Sequence, residues 1–306
     1  LVLRCDVRGG KAYYDVTYKG KTVIKPGLLG FDLVGKRTGE FNNFDETHVK
    51  PEPVSLCSGF RVVTSEHATQ DETWHPVWGE EANIRNRYNE MLVTLEQPVG
   101  SVHSMDSSTY RRPTVMQIRF RLYDDGLGFR YEFPGGQSLV HFVIKEELTE
   151  FACAEDNTAW WIPGDYDTQE YEYNCTRISE VAEHFRDKMR GNSSQTPFST
   201  SGVQTSLQMK TPGGLYVNIH EAALVDYPCM HLLVDGRTHT LRAHLTPDAG
   251  RRAEDHRQQD LRAGQHIAHG VQAGLAHAAY PQGGVHAVIL FIEEGGGNGV
   301  GAVDDD

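Results

Sequence analysis

Glu221 is the side chain whose neighbours best fit it for chemistry. It follows His220 at the end of the alternating run Tyr216-Val-Asn-Ile-His-Glu221, and Asp226 comes five residues later, beside Tyr227. A carboxylate at a strand terminus is held by the sheet while its oxygens reach past it, which suits a hard cation or a polar ligand. The plainer reading is an edge glutamate facing water, and spacing alone favours it. His220 with Glu221 superficially resembles an acid–base pair. Adjacent residues of a strand point to opposite faces, however, and proton exchange needs two groups converging on one ligand.

The loop Trp74-His-Pro-Val-Trp-Gly-Glu80 is a second candidate. Indoles on loops can stack on the apolar faces of sugars, and they serve as often as lids over a core. Asp124 and Asp125 lack the further oxygen ligands of a calcium loop and read as turn formers. Several of the 15 histidines fall in the last sixth of the chain (His256, His266, His269, His277, His286). No pair among them has the spacing of a metal site on a helix. The five cysteines are scattered without a CxxC pair, so they form no zinc pattern and no disulfide framework. Asn174-Cys-Thr176 and Asn192-Ser-Ser194 match glycosylation sequons, a match common by chance.

The elements that must position these groups read as strands. LVLRCDV, AYYDVTY and KTVI alternate and are separated by Gly9-Gly10 and Lys19-Gly20, giving two hairpins. Gly27 to Val34 reads as a short strand, and 36–53 as a polar surface loop. MQIRFRLY and FRYEF flank a turn at 124–128 and form the clearest hairpin. IRNRYNEMLVTLEQ fits either period, and a strand from Asn89 on is favoured. VHFVIKEELTEF reads as one strand. Trp160 and Trp161, adjacent in a strand, should face opposite ways. Residues 178–190 admit a short helix with Ile178, Val181, Ala182 and Phe185 on one side. GVQTSLQMK pairs with LYVNIHEA, and MHLLVDG with THTLRAHL, turned at Asp235-Gly236. VHAVILFIEE is strand-like, whereas GGGNGVGAVDDD is of low complexity.

A formal charge of −13 over 306 residues argues against nucleic acid as a partner. No apolar run is long enough to span a membrane. The N-terminus lacks the features of a signal peptide and reads as a strand entered partway along.

Taken together, VTYKGKTVI, WHPVWGEEANIRNRYNE, FRLYDDGLGFRYEFP, AWWIPGDYDTQEYEY, GGLYVNIHEAALVDYPCM and LRAHLTPDA resemble the N-terminal domain of glycoside hydrolase family 97, bacterial α-glucosidases and α-galactosidases. The resemblance implies a mainly β chain: a large antiparallel β-sandwich, mutarotase-like, over 1–249. A downstream catalytic (β/α)8 barrel would follow it. Residues 250–306 depart from the pattern and are expected to form an atypical irregular tail, through a shifted reading frame or partial disorder.

By the same resemblance Glu221 is the strand-end glutamate that the domain lends to an active-site calcium. Calcium takes six to eight oxygens, so the other ligands would come from the barrel, water and substrate. His220, Arg242 and His244 would lie near that cleft; Trp74 and Trp78 are the candidate sugar contacts read from their own loop. The implied substrate is an oligosaccharide ending in α-linked glucose or galactose, and the implied location is periplasmic or secreted. The catalytic carboxylates would lie in the barrel, so the chain by itself should be inactive. Two other readings remain open: a stand-alone carbohydrate-binding sandwich, and a mutarotase-like sugar epimerase.

Overall fold

The computed structural model describes residues 1–33, 54–98, 112–135, 141–189, 195–221, 227–246, 259–262, 266–267 and 287–294. The loop expected at 36–53, Asp226, Asn192 and four of the five tail histidines lie outside these residues. Among the described residues no helix is long and apolar enough to cross a membrane.

Alternation builds the N-terminal meander as expected. β1 (Val2–Arg8), β2 (Lys11–Tyr18) and β3 (Lys21–Leu29) pair in antiparallel register. Their turns use left-handed backbone at Gly9 and Gly10 (φ 56° and 78°) and at Lys19 and Gly20 (φ 47° and 80°). The strand expected over Gly27 to Val34 is instead split. β3 ends at Leu29, and β4 (Phe31–Leu33) starts in a different sheet. Gly30 makes the break possible, with φ 146° and Leu56 O only 2.5 Å from where a Cβ would sit. Gly30→Ala should therefore cost about 2 kcal/mol or more in urea unfolding, and an unchanged midpoint would contradict the geometry.

Among the described residues three antiparallel sheets form. The seven-stranded sheet runs β1-β2-β3, then β11 (Glu150–Cys153), β18 (Thr240–Leu245), β17 (Met230–Asp235) and β14 (Gly202–Gln204). The ten-stranded sheet runs β13 (Asn174–Arg177), β12 (Thr158–Trp161), β15 (Leu207–Lys210), β16 (Leu215–Glu221), β21 (Ala287–Glu294), β9 (Gly126–Glu132), β8 (Thr114–Leu122), β7 (Ile84–Gln97) and β6 (Arg61–Trp74), with β20 (His266–Ile267) also on β9. A four-stranded sheet joins β19 (Gln259–Arg262), β10 (His141–Glu147), β4 and β5 (Val54–Leu56). Residues from the expected tail thus contribute strands. β21 lies between β16 and β9 and pairs with both.

The larger sheets face each other across one aromatic-rich core. Tyr14 of β2 packs on Phe129 of β9 with ring centroids 5.5 Å apart, and Phe31 of β4 meets Tyr131 of β9 edge-on at 4.5 Å. Trp161 is 1% exposed and lies parallel to Phe185 of α1 (Val181–Lys188), the short helix expected from its periodicity. Ala182 faces solvent, so the buried stripe is Ile178, Val181 and Phe185.

Two further expectations needed correction. β7 begins at Ile84, five residues before Asn89, because it pairs with β6 along its whole length from Ile84 opposite Trp74. The run VHFVIKEELTEF forms two strands in different sheets, β10 and β11, separated where Leu148 N donates to Gly30 O. That break buries Glu147 and Thr149, each 0% exposed.

Candidate functional site: buried acids where the sheets meet

Glu221 points inward. β16 alternates buried and half-buried residues from Leu215, so Val217, Ile219 and Glu221 share the core face while Tyr216, Asn218 and His220 share the outer one. The glutamate is 9% exposed and bridges two sheets: Met230 N, of β17, donates to Oε1 at 2.9 Å. Thr205 Oγ1, on the link between β14 and β15, lies 3.2 Å from Oε2 and 2.8 Å from Met230 O. Burial pushes the Glu221 carboxyl up to about 8, against these hydrogen bonds and with help from the charge of Glu147. The geometry suits a protonated acid: Glu221 can donate to Thr205 Oγ1 while Thr205 donates to Met230 O.

Glu147 forms a second buried acid centre. Thr149 Oγ1 donates to its Oε1 at 2.6 Å and Tyr227 Oη donates to its Oε2 at 2.8 Å. Tyr131 Oη lies 2.7 Å from Thr149 Oγ1 and accepts from Gly30 N at 3.3 Å. The relay joins the four-stranded sheet to the ten-stranded one. Burial raises the Glu147 carboxyl to about 7, the two hydroxyls pull it down, and Glu146 adds repulsion.

A third cluster gathers on the far side of β17. His244 Nε2 is 2.9 Å from Tyr166 Oη, its Nδ1 is 3.6 Å from Glu146 Oε1, and its ring stacks on Phe198 at 4.0 Å. His231 donates from Nε2 to Asp165 O at 3.0 Å, and burial lowers it to about 4, so it is neutral. The Asp165 side chain anchors this loop by accepting from Asp167, Thr168, Thr196 and Tyr171.

The structure gathers only part of the sequence-derived set. Glu221 and His244 are buried near opposite ends of the Met230–His231 segment of β17. His220 turns to the outer face of the ten-stranded sheet, where its Nδ1 lies 2.5 Å from Ser206 Oγ, and burial lowers its basicity. Arg242 is exposed on the outer face of the seven-stranded sheet. The two thus sit on the outer faces of different sheets, whereas Glu221 faces the core. Trp74 ends β6, while Trp78 is 89% exposed at the hairpin tip beyond it. Sequence reasoning missed Glu147, Tyr166, Phe198 and Thr205. The acid-rich stretch at 165–172 hinted only at Asp165.

Among the described residues no three His, Cys, Asp or Glu side chains cluster to hold a metal. Glu221 stands there as a buried carboxylate whose ionised form is penalised by burial.

Fold and site together define a large antiparallel β-sandwich domain whose buried acids converge where its sheets join. The sequence profile described as Glycosyl-hydrolase 97 N-terminal matches residues 1–267, and the chain belongs to that family. Among solved structures, a Glycoside Hydrolase Family 97 enzyme variant from Pseudoalteromonas sp. strain K8 superposes with a TM-score of 0.67 at 24% identity over 95% of this chain. The same enzyme in complex with acarbose gives 0.66 at 24% identity and 95% coverage. A beta-arabinopyranosidase gives 0.62 at 14% identity, covering 95% of this chain and 38% of its own. This chain spans 34% of the length of the Pseudoalteromonas enzyme. The large β-sandwich anticipated from the motifs is thus the observed fold.

Proposed function

We propose that this sandwich completes the active site of an exo-acting α-glycosidase, lending Glu221 to a calcium ion held mainly by a catalytic barrel elsewhere in the protein. The observation that carries it is Glu221 itself: a strand-end carboxylate, 9% exposed, oriented by Met230 N and with its acidity suppressed by burial to about 8. A carboxylate in that state gains most from a metal, which would displace its proton. Glu147 would hold the Tyr227 side that follows the strand end, and Met230 N would orient Oε1. Bound calcium would supply Lewis-acid and templating chemistry. Family membership supports a carbohydrate substrate, and the proposed substrate is an oligosaccharide ending in α-linked glucose or galactose. A periplasmic or secreted location goes with that substrate class.

The test uses the protein with its catalytic domain in the same chain. Glu221→Gln should raise the calcium needed for half-maximal hydrolysis of an aryl α-glucoside by about tenfold or more. The calcium-induced rise in melting temperature should shift in parallel. Identical calcium dependence in variant and parent would overturn the assignment.

A further inference from the structure

We propose that the outer face of the ten-stranded sheet, around Trp160 and Tyr216, is a separate surface site for neutral oligosaccharide chains. The choice of sugar rests on the carbohydrate reading above, whereas the site rests on its own geometry.

Alternation along β12 sends Trp161 into the core and Trp160 to the opposite face, where it is half-buried. On the outer face of β16 Tyr216 is also half-buried. The two rings lean over the intervening strand β15 and lie within 21° of parallel, their centroids 6.3 Å apart. Between and beside them the face is polar. Trp160 stands opposite Gln208, and Gln208 opposite Asn218. Asn218 Nδ2 donates to Gln208 Oε1 at 2.9 Å, which leaves Gln208 Nε2 to donate and Asn218 Oδ1 to accept. Lys210 is exposed and holds its Nζ 5.1 Å over the Tyr216 ring, an exposed contact weak enough for a ligand to displace. The pair His220–Ser206 continues the same face one register step on.

Aromatic pairs on a sheet face ordinarily pack among aliphatic neighbours. Here the same-face neighbours on β12, β15 and β16 are Thr158, Gln208, Lys210, Asn218 and His220. Two near-parallel rings framed by amides and an ammonium match a pyranose, which presents apolar C–H faces and a rim of hydroxyls. A protein partner would call for an apolar centre, and the same-face neighbours on β12, β15 and β16 supply none.

The test is titration of the 306-residue chain with maltoheptaose, followed by NMR or calorimetry. The parent should bind with a Kd of about 1 mM, typical of two ring contacts and a few exposed hydrogen bonds. Trp160→Ala should weaken binding at least tenfold, while Trp160→Phe retains most of it and Val77→Ser, at the distant hairpin tip, changes nothing. Melting curves establish that each variant is folded. The proposal is overturned if the parent does not bind, if Trp160→Ala binds within twofold of the parent, or if Trp78→Ala and not Trp160→Ala abolishes binding. None of these outcomes touches the calcium dependence of Glu221→Gln, so the two readings fail separately.

Discussion

Asp165→Ala should destabilise the chain by about 3 kcal/mol or more, among the largest effects of any single substitution outside the apolar core. The side chain is 2% exposed, and its two oxygens accept five hydrogen bonds. Asp167 N, Thr168 N and Thr196 Oγ1 reach Oδ1 at 2.9, 3.2 and 2.8 Å, and Thr196 N and Tyr171 Oη reach Oδ2 at 2.7 and 2.9 Å. Burial works to raise this carboxyl, yet the Asp167 and Thr196 donors win and hold it below the usual carboxylate range. Alanine would strand those donors around a void, and each buried donor left unmet costs more than the bond contributed. The losses will not add, since all five bonds close one loop. Asp165→Asn should fall in between, because its amide nitrogen must face donors at one of the two oxygen positions. Urea midpoints measure the loss, and amide exchange at Asp167 and Thr196 localises it. A loss under 1 kcal/mol with unchanged exchange would show that the loop does not depend on this carboxylate. Because the native carboxyl is depressed, its stabilisation is present above the unfolded carboxylate value and is lost as pH falls through the lower native one.

The loop matters because it carries Tyr166 to His244, and nothing local announces that meeting. What the sequence made legible was set by neighbours in the chain. The β8–β9 hairpin, the N-terminal meander and the β15–β16 hairpin each follow from alternation plus a turn, since their partners are adjacent. Glu221 was singled out only because it ends such a strand. Partners distant in sequence could not be read this way. β10 and β11 form one uninterrupted polar–apolar run, and only the approach of Gly30, more than a hundred residues earlier, splits it between sheets. Glu147 therefore read as an ordinary polar residue in Lys-Glu-Glu, whereas Tyr227 and Thr149 bury it completely. β7 shows the converse. Its first residues lack a clear period because β6, not a core, holds them. Alternation alone sends Trp160 and Trp161 to opposite faces, but the pairing of Trp160 with Tyr216 depends on a strand order that alternation does not encode.

The buried acids should give this chain an unusual pH profile, with stability falling from mild acid towards neutral and alkaline pH. Glu147 ionises near 4.5 when unfolded and near 7 in the folded chain. Between those values the folded state holds a proton that the unfolded state has released, so raising the pH favours unfolding. The contribution is fully present below about pH 4.5 and gone above about pH 7, a loss on the order of 3 kcal/mol. Glu221, raised to about 8, has the same sign and extends the decline by another unit. Asp165 acts oppositely at the acid end, which places the stability maximum near the lower edge of the Glu147 window. Glu147→Gln should flatten the decline between pH 5 and pH 7. The amide keeps the shape, and the Thr149 and Tyr227 hydroxyls can each turn to accept from it or donate to it. At pH 5 the variant should be less stable than the parent by about 1 kcal/mol, and by pH 8 it should be the more stable of the two. Melting temperatures of both proteins across that range decide the matter. A parent equally stable at pH 5 and pH 8, or a variant with the parent's slope, would show that water or a counter-charge reaches Glu147 and relieves its burial.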